Sequence, residues 1–415
     1  MARSIQRRAV LAGMAGVAAT AAPWRPARAA EEAPLRIGLC TVKTGPLAQG
    51  GLQMEQGLTV FLKERKYQIA GRKVVLTVAD TGGSPAGARS RIQELIERDK
   101  VDFIVGPLAA FEAIAVNDTI RTARVPTLIC AGAEDLTQRK PNPWAVRPSC
   151  TSAQPCHPLA HYGAVDRKFK RMLTIAEDFA YGHEQVAGFQ RVFEDNGGRI
   201  VKKLWPPISI PDDTPYIAQM QKVDAIFVGM SGSNPTKFFR QYSSFGSKFP
   251  VLAGETAADE PNFKNAGDEM VGVISASFYS GEIDTPTNHR LIATMEKDYQ
   301  AVPGFFAVTT YLNGQFIEAA LAKTGGNATD REAVMKALRA VSLTDTPRGP
   351  VHLDNLGNAV GNIYIREVQR KNGKLVNAIL KTYENVSQFW TYDEKWFLAQ
   401  PVYSRNYPPA RYLEP

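Results

Sequence analysis

The side chains able to do chemistry in this chain of 415 residues are spaced for holding a small molecule rather than transforming one. Gly229-Met230-Ser231-Gly232-Ser233 approaches the G-x-S-x-G turn that exposes a nucleophilic serine, but Ser233 replaces its last glycine. Of the five histidines, only His289 or His352 could serve as a base, and neither stands in a recognisable context. No P-loop, H-E-x-x-H or strand-to-helix G-x-G-x-x-G occurs. The cysteines Cys40, Cys130, Cys150 and Cys156 lack the C-x-x-C or His-rich spacing of a metal site. What remains is Glu255, a lone acid that could hold an ammonium group, and loops whose backbone N–H groups could hold a carboxylate at a helix start. This is the chemistry of capture. Neither catalysis nor a cofactor nor a metal is expected.

The N-terminus sets the compartment. Arg3, Arg7 and Arg8 precede an apolar run from Ala9 to about Ala22, and Ala27-Arg28-Ala29 forms a small-x-small pattern before Ala30. These are the parts of a secretory signal cleaved after Ala29, and the run falls short of the roughly 20 residues that span a bilayer. Gln6-Arg7-Arg8-Ala9-Val10-Leu11 resembles a twin-arginine signal, with a basic n-region on a general signal as the alternative. Met14 stands where a lipoprotein signal needs cysteine, so a soluble periplasmic product is expected. The leader's five arginines account for five of the +8 charges, which leaves +3 on the mature chain. No basic stripe with interleaved aromatics points to nucleic acid. In an oxidising space a local disulfide between Cys150 and Cys156 is expected, worth about 2 kcal/mol. Cys40 and Cys130 end apolar runs and read as buried free thiols.

The elements that position these residues alternate. Leu35 to Cys40 is a short apolar run; Met54, Leu58, Phe61 and Leu62 then share one helix face. Val74, Leu76 and Val78 alternate as a strand, and Ser84-Pro85 reads as a helix cap with a first-turn proline. Val101 to Val105 is a buried strand, followed by a helix from about Phe111 to Arg124. The pattern restarts with a strand over Met172 to Ala176, a helix over about Glu184 to Asn196, and strands at Gly198 to Leu204, Val223 to Val228 and Phe249 to Ala253. Such alternation specifies an α/β fold with mostly parallel sheets, in two successive units. Thr309 to Lys323 reads as an amphipathic helix with Phe306 in the core, and the aromatic tail beyond Glu384 as a strap packed along one lobe. In open parallel sheets ligands bind beyond the carboxyl ends of the strands. That selects the loops Thr41 to Gly51, Gly106 to Phe111, Cys130 to Glu134, Asp178 to Gly182, Gly229 to Asn234 and Gly254 to Thr256.

On those loops a resemblance emerges. Ile37-Gly38-Leu39, Thr44 to Gln49, Phe103 to Pro107, Ala133 to Thr137, Phe179 to Gly182, Phe239-Arg240-Gln241, Gly254-Glu255 and Ala307 to Tyr311, in this order, resemble the Leu/Ile/Val-binding family of periplasmic solute-binding proteins of ABC importers, with the type I fold. The resemblance implies a two-lobed Venus-flytrap with three crossover strands near Pro148, Phe278 and Pro350. Residues 34–148 and 279–350 would form one lobe, 149–278 and 351–384 the other, and 385–415 the strap. It implies a small solute as ligand, a membrane permease as partner and a monomer in solution. A ligand-sensing receptor subunit is the other use of such a chain. By resemblance, Glu255 binds the ligand's amino group and Tyr181 lines the cleft. Leu108, Ala109, Ala110 and Phe111 at a helix start, with the backbone of Cys130, Ala131 and Gly132, hold its carboxylate. Four departures stand out. Ala110 replaces the family's serine, Gly132 its threonine, Gly50 its first-loop aromatic and Ser231 a second-lobe tyrosine. With those hydroxyls and walls trimmed, aromatic or other organic acids and amides join amino acids as expected ligands.

Overall fold

The computed structural model describes residues 33–246 and 249–414; the expected leader and its cleavage site lie outside them. Leu35–Thr41 is buried at every position but Arg36, as a strand covered on both faces must be. It pairs in parallel with Arg72–Asp80 on one side and Phe103–Val105 on the other, so that Ile37 stands level with both Leu76 and Phe103. Thr127–Leu128 and Ala145–Val146 continue the sheet in parallel, and Gln68–Ile69 closes the far edge as an antiparallel stub. The helix behind Arg72–Asp80 starts as its sequence requires. Pro85 opens Pro85–Glu97, and Ser84 Oγ accepts the Gly87 N–H at 3.1 Å.

The second sheet repeats the scheme. Arg171–Ala176 lies between Arg199–Leu204 and Ala225–Gly229, all parallel, and Val251–Ala253 and Ile274–Ser277 follow in parallel. Ala359–Lys371 then runs antiparallel to Ile274–Ser277 and forms a long hairpin with Lys374–Val386. Its two-residue turn, Asn372-Gly373, has positive φ at both positions (51° and 78°), which the twist of a hairpin favours and which Asn-Gly accepts at little cost. Ser342–Leu343, placed by the sequence with the first lobe, hydrogen-bonds to Val351–Leu353 in this second sheet.

Two sequence readings of helices are corrected. The helix expected from about Glu184 begins at Ala180, because Phe179 already supplies the extended N-cap backbone. Phe305–Lys323 is buried on most of its circumference rather than along one stripe. It packs into the first unit through contacts such as Thr310 Oγ1 donating to the Met54 carbonyl at 2.7 Å.

Three crossing segments join the two sheets, and one side chain ties them together. The fully buried Arg348 donates through Nη1 to the carbonyls of Pro148 (2.9 Å) and Ser149, and its guanidinium sits 4.4 Å from the Phe278 ring centroid. Burial lowers its pKa to about 10, well above neutrality, so it remains a cation. The tail packs Phe389, Phe397 and Tyr403 against Ala153 and Ala187. Arg191 Nη2 donates to Tyr407 Oη at 2.7 Å, which holds the tail on the helix Ala180–Asp195.

Candidate functional site

Strand order locates the site. In the first sheet the order reverses at Leu35–Thr41, whose neighbours are the next strand on one side and Phe103–Val105 on the other. In the second it reverses at Arg171–Ala176. Loops leaving the carboxyl ends at such switch points flank a crevice. The chain places Leu47, Leu108, Phe179 and Ser231 on these loops, and all four line one cavity. It contains about 380 Å³ of empty space, part of it open to solvent. Four helices begin at its wall: Ala48–Glu64, Ala110–Ala123, Ala180–Asp195 and Phe305–Lys323. First-turn N–H groups have no intrahelical acceptor and carry the positive end of the helix dipole, so the cavity favours a negatively charged group. At the second of these helices Glu112 reaches back to the Ala109 N–H at 3.1 Å, while the N–H groups of Ala110 and Phe111 keep first-turn positions.

Seven of the ten residues expected from sequence line the cavity: Leu108, Ala109, Ala110, Cys130, Gly132, Tyr181 and Ser231. The other three stand behind the wall. Phe111 turns its ring toward Phe179, centroids 5.8 Å apart. Ala131 is buried, its carbonyl held by Arg147 Nε at 2.9 Å. Glu255 is buried beneath Tyr181, accepting from Cys150 Sγ at 3.0 Å and from Tyr181 Oη at 3.4 Å. Burial pushes its carboxyl up to about 8, so it is mostly neutral at neutral pH. Ser231, although at the wall, spends its hydroxyl on Glu177 at 2.6 Å.

Two of the four departures from the family pattern, Gly132 and Gly50, have packing reasons. A side chain at Gly132 would put Cβ 2.6 Å from Ser152 Oγ and 2.9 Å from its backbone nitrogen. A side chain at Gly50 would put Cβ 2.8 Å from the Phe306 ring. Phe306 therefore fills the volume beside Gly50, and it lines the cavity, contrary to the expectation of a core residue. Leu47, Phe179, Thr256 and Phe305 also line it and were not singled out from sequence. The signal for the last was Pro303-Gly304 ahead of a helix start on a buried element, a cue that marks position but not exposure.

The expected Cys150–Cys156 bridge is not formed; all four cysteines are buried free thiols. Cys156 opens the helix Cys156–His161 and points its sulfur back toward the Ser152 carbonyl at 3.6 Å, whereas Cys150 faces Glu255. Proximity in sequence does not align the two Cβ vectors. Alkylation under native conditions is expected to modify none of the four, and alkylation in denaturant without reductant all four, read by intact mass. A disulfide would appear as two protected cysteines in denaturant.

The lobes are closed on each other. Ser233 N–H donates to the Pro46 carbonyl at 3.2 Å, Glu134 N–H to Glu184 Oε1 at 3.2 Å, and Phe305 N–H to Asp259 Oδ1 at 2.9 Å. Among the described residues no cluster of three or more His, Cys, Asp or Glu side chains could hold a metal, and no helix is long and apolar enough to cross a membrane.

Comparison with known proteins agrees with this geometry. Residues 34–374 match the family model described as periplasmic binding protein. The Leu/Ile/Val-binding protein homolog 6 of Brucella melitensis biotype 1 is 26% identical over 371 residues, covering 86% of this chain and 94% of that protein. A solute-binding protein of an ABC transporter from Rhodopseudomonas palustris BisB5, solved with 3,4-dihydroxybenzoic acid, is 30% identical with a TM-score of 0.82, covering 86% of this chain and 98% of that one. Another from R. palustris, solved with 4-hydroxybenzoate, is 26% identical with a TM-score of 0.81, covering 86% and 99%. With two sheets, a crevice at both switch points and closed lobes around it, the chain belongs to the periplasmic binding proteins and serves as the substrate-binding subunit of an ABC importer, taking a small organic solute to a permease.

Proposed function

We propose that the solute is an aromatic carboxylate without an amino group. One observation carries this reading: none of the residues lining the cavity bears a charge, while four helix N-termini converge on it. An amino acid brings an ammonium that needs a counter-ion, and Glu255 is buried, mostly neutral and screened by Tyr181. An aromatic acid needs an anion site and an apolar slot. The first-turn N–H groups at Ala110 and Phe111 and the backbone of Cys130 and Gly132 supply the former; the Ala131 N–H is taken by the Pro107 carbonyl at 3.1 Å. Leu47, Leu108 and Phe305 supply the latter, with Tyr181 Oη at its edge. The two solved relatives hold hydroxylated benzoates.

In this reading the ligand stabilises the closed form through its greater affinity for it, and no catalytic step is involved. Residues 34–148 with 279–350 form one lobe, apart from Ser342–Leu343, which pairs in the second sheet, and 149–278 with 351–384 form the other, with 385–415 a strap; the protein is a monomer, exported to the periplasm after cleavage following Ala29.

Isothermal titration calorimetry of the mature protein with benzoate, 4-hydroxybenzoate and leucine tests the proposal. The benzoates are expected to bind and leucine not. In Glu255→Gln the benzoate Kd at pH 7 is expected to change by less than about fivefold, the size of one neutral hydrogen bond. In the wild type, affinity is expected to fall as pH rises through about 8, because Glu255 then ionises near a bound anion. Glu255→Gln removes that fall. Leucine binding that is lost in Glu255→Gln would restore the ammonium clamp and sink the proposal.

A further inference from the structure

A second hollow adjoins the apolar chamber. It contains about 270 Å³ of empty space, and Thr256 and Phe306 belong to both walls. Its character is different. Gln49, Gln53, Asp259 and Asn262 line it, and backbone groups fix three of these side chains. Gln53 Oε1 accepts the Gly304 N–H at 3.0 Å, Asp259 accepts the Phe305 N–H at 2.9 Å, and Asn262 Nδ2 donates to the Thr256 carbonyl at 3.3 Å. The Phe306 side chain borders both hollows. Phe305 packs edge-on against it at 4.9 Å, and the lack of a side chain at Gly50 leaves room for it on the helix Ala48–Glu64.

We infer that Phe306 sets the length of the ligand, acting as a partition between an apolar chamber for the aromatic ring and a polar annex for whatever extends from it. The inference rests on the aromatic-carboxylate reading and names a substrate class within it. With the carboxylate at the helix starts near Ala110, a group on the opposite side of the ring points to the partition. Beyond it lie three amides, of Gln49, Gln53 and Asn262, and the Asp259 carboxylate. That set suits a neutral hydrogen-bond donor, such as a primary amide, and opposes both an apolar extension and a second carboxylate. A desolvated polar wall rejects a group that leaves it unpaired more strongly than an apolar wall rejects an extra methylene.

Calorimetry on the mature protein with benzoate, 4-ethylbenzoate and 4-carbamoylbenzoate tests this. The wild type is expected to prefer benzoate. Phe306→Ala is expected to shift the ratio of benzoate to 4-carbamoylbenzoate affinity by at least about tenfold toward the amide, and to gain less for 4-ethylbenzoate. Phe306→Leu, which keeps more of the packing, should move in the same direction by a smaller factor and stands in if the alanine variant does not fold. An unchanged rank order in the folded variants overturns the inference while leaving the aromatic-carboxylate reading intact. Equal gains for 4-ethylbenzoate and 4-carbamoylbenzoate overturn the polar annex. A wild type that binds none of the three sinks the underlying reading and the inference with it.

Discussion

Ala110→Asp is expected to abolish binding of aromatic carboxylates while leaving the protein folded. Residue 110 is the first of the helix Ala110–Ala123 and lies at the cavity wall. An acid in a helix's first turn is compatible with the dipole, so the element itself tolerates the change. The ligand does not. Two like charges about 5 Å apart, at an effective dielectric near 20, repel by about 3 kcal/mol, which is a loss of a hundredfold or more in affinity. Calorimetry against benzoate reads the loss and far-ultraviolet circular dichroism the retained fold. Binding within about threefold of wild type would mean that the carboxylate sits elsewhere in the cleft.

The second large effect is on stability. Arg348→Met keeps a long apolar stem but removes the donors that satisfy the carbonyls of Pro148 and Ser149 and the cation beside Phe278. A buried carbonyl left without a partner costs about 1–3 kcal/mol, so the variant is expected to lose about 3 kcal/mol in guanidinium unfolding. Lysine should recover only part of this, since a point charge cannot reproduce the planar fork and its stacking on the ring. Because Arg348 touches all three crossing segments, its loss is also expected to alter ligand affinity without any change at the cavity wall. A midpoint unchanged in Arg348→Met would show that the clamp carries no stability.

Much of this was legible in the sequence, for reasons that can be named. Ala225–Gly229 is buried along its whole length and Leu35–Thr41 at every position but Arg36, and nearly continuous apolar runs announce that. Ser84-Pro85 caps the helix it was expected to cap. From strand order follow the loops, and on them the family resemblance picks out Leu108, Tyr181 and Ser231, which line one cavity. What sequence could not supply was depth. Glu255 lies on the right loop but beneath Tyr181, and one residue's burial depends on the bulk of another far along the chain. Phe306 shows the converse. An aromatic at a helix start reads as core, yet the small residue at Gly50 decides where its ring goes. The thiols of Cys150 and Cys156 failed for a third reason, since the direction of each Cβ is set by whether its residue opens a helix or follows a crossover.

The contact at Gly132 bears on how this protein could change its ligand. A hydroxyl-bearing residue there would meet not only Ser152 Oγ but also the Ser152 backbone nitrogen, 2.9 Å from the new Cβ. No substitution at 152 removes that nitrogen. The loop and the crossover segment must separate first, against the hydrogen bond from Ser152 N–H to the Gly132 carbonyl. A mutational walk toward a zwitterion-type site therefore has no single-step entry at this position. Selection for a new solute would have to begin elsewhere on the wall, at residues such as Ala110 or Phe306 whose change does not require two backbone segments to part.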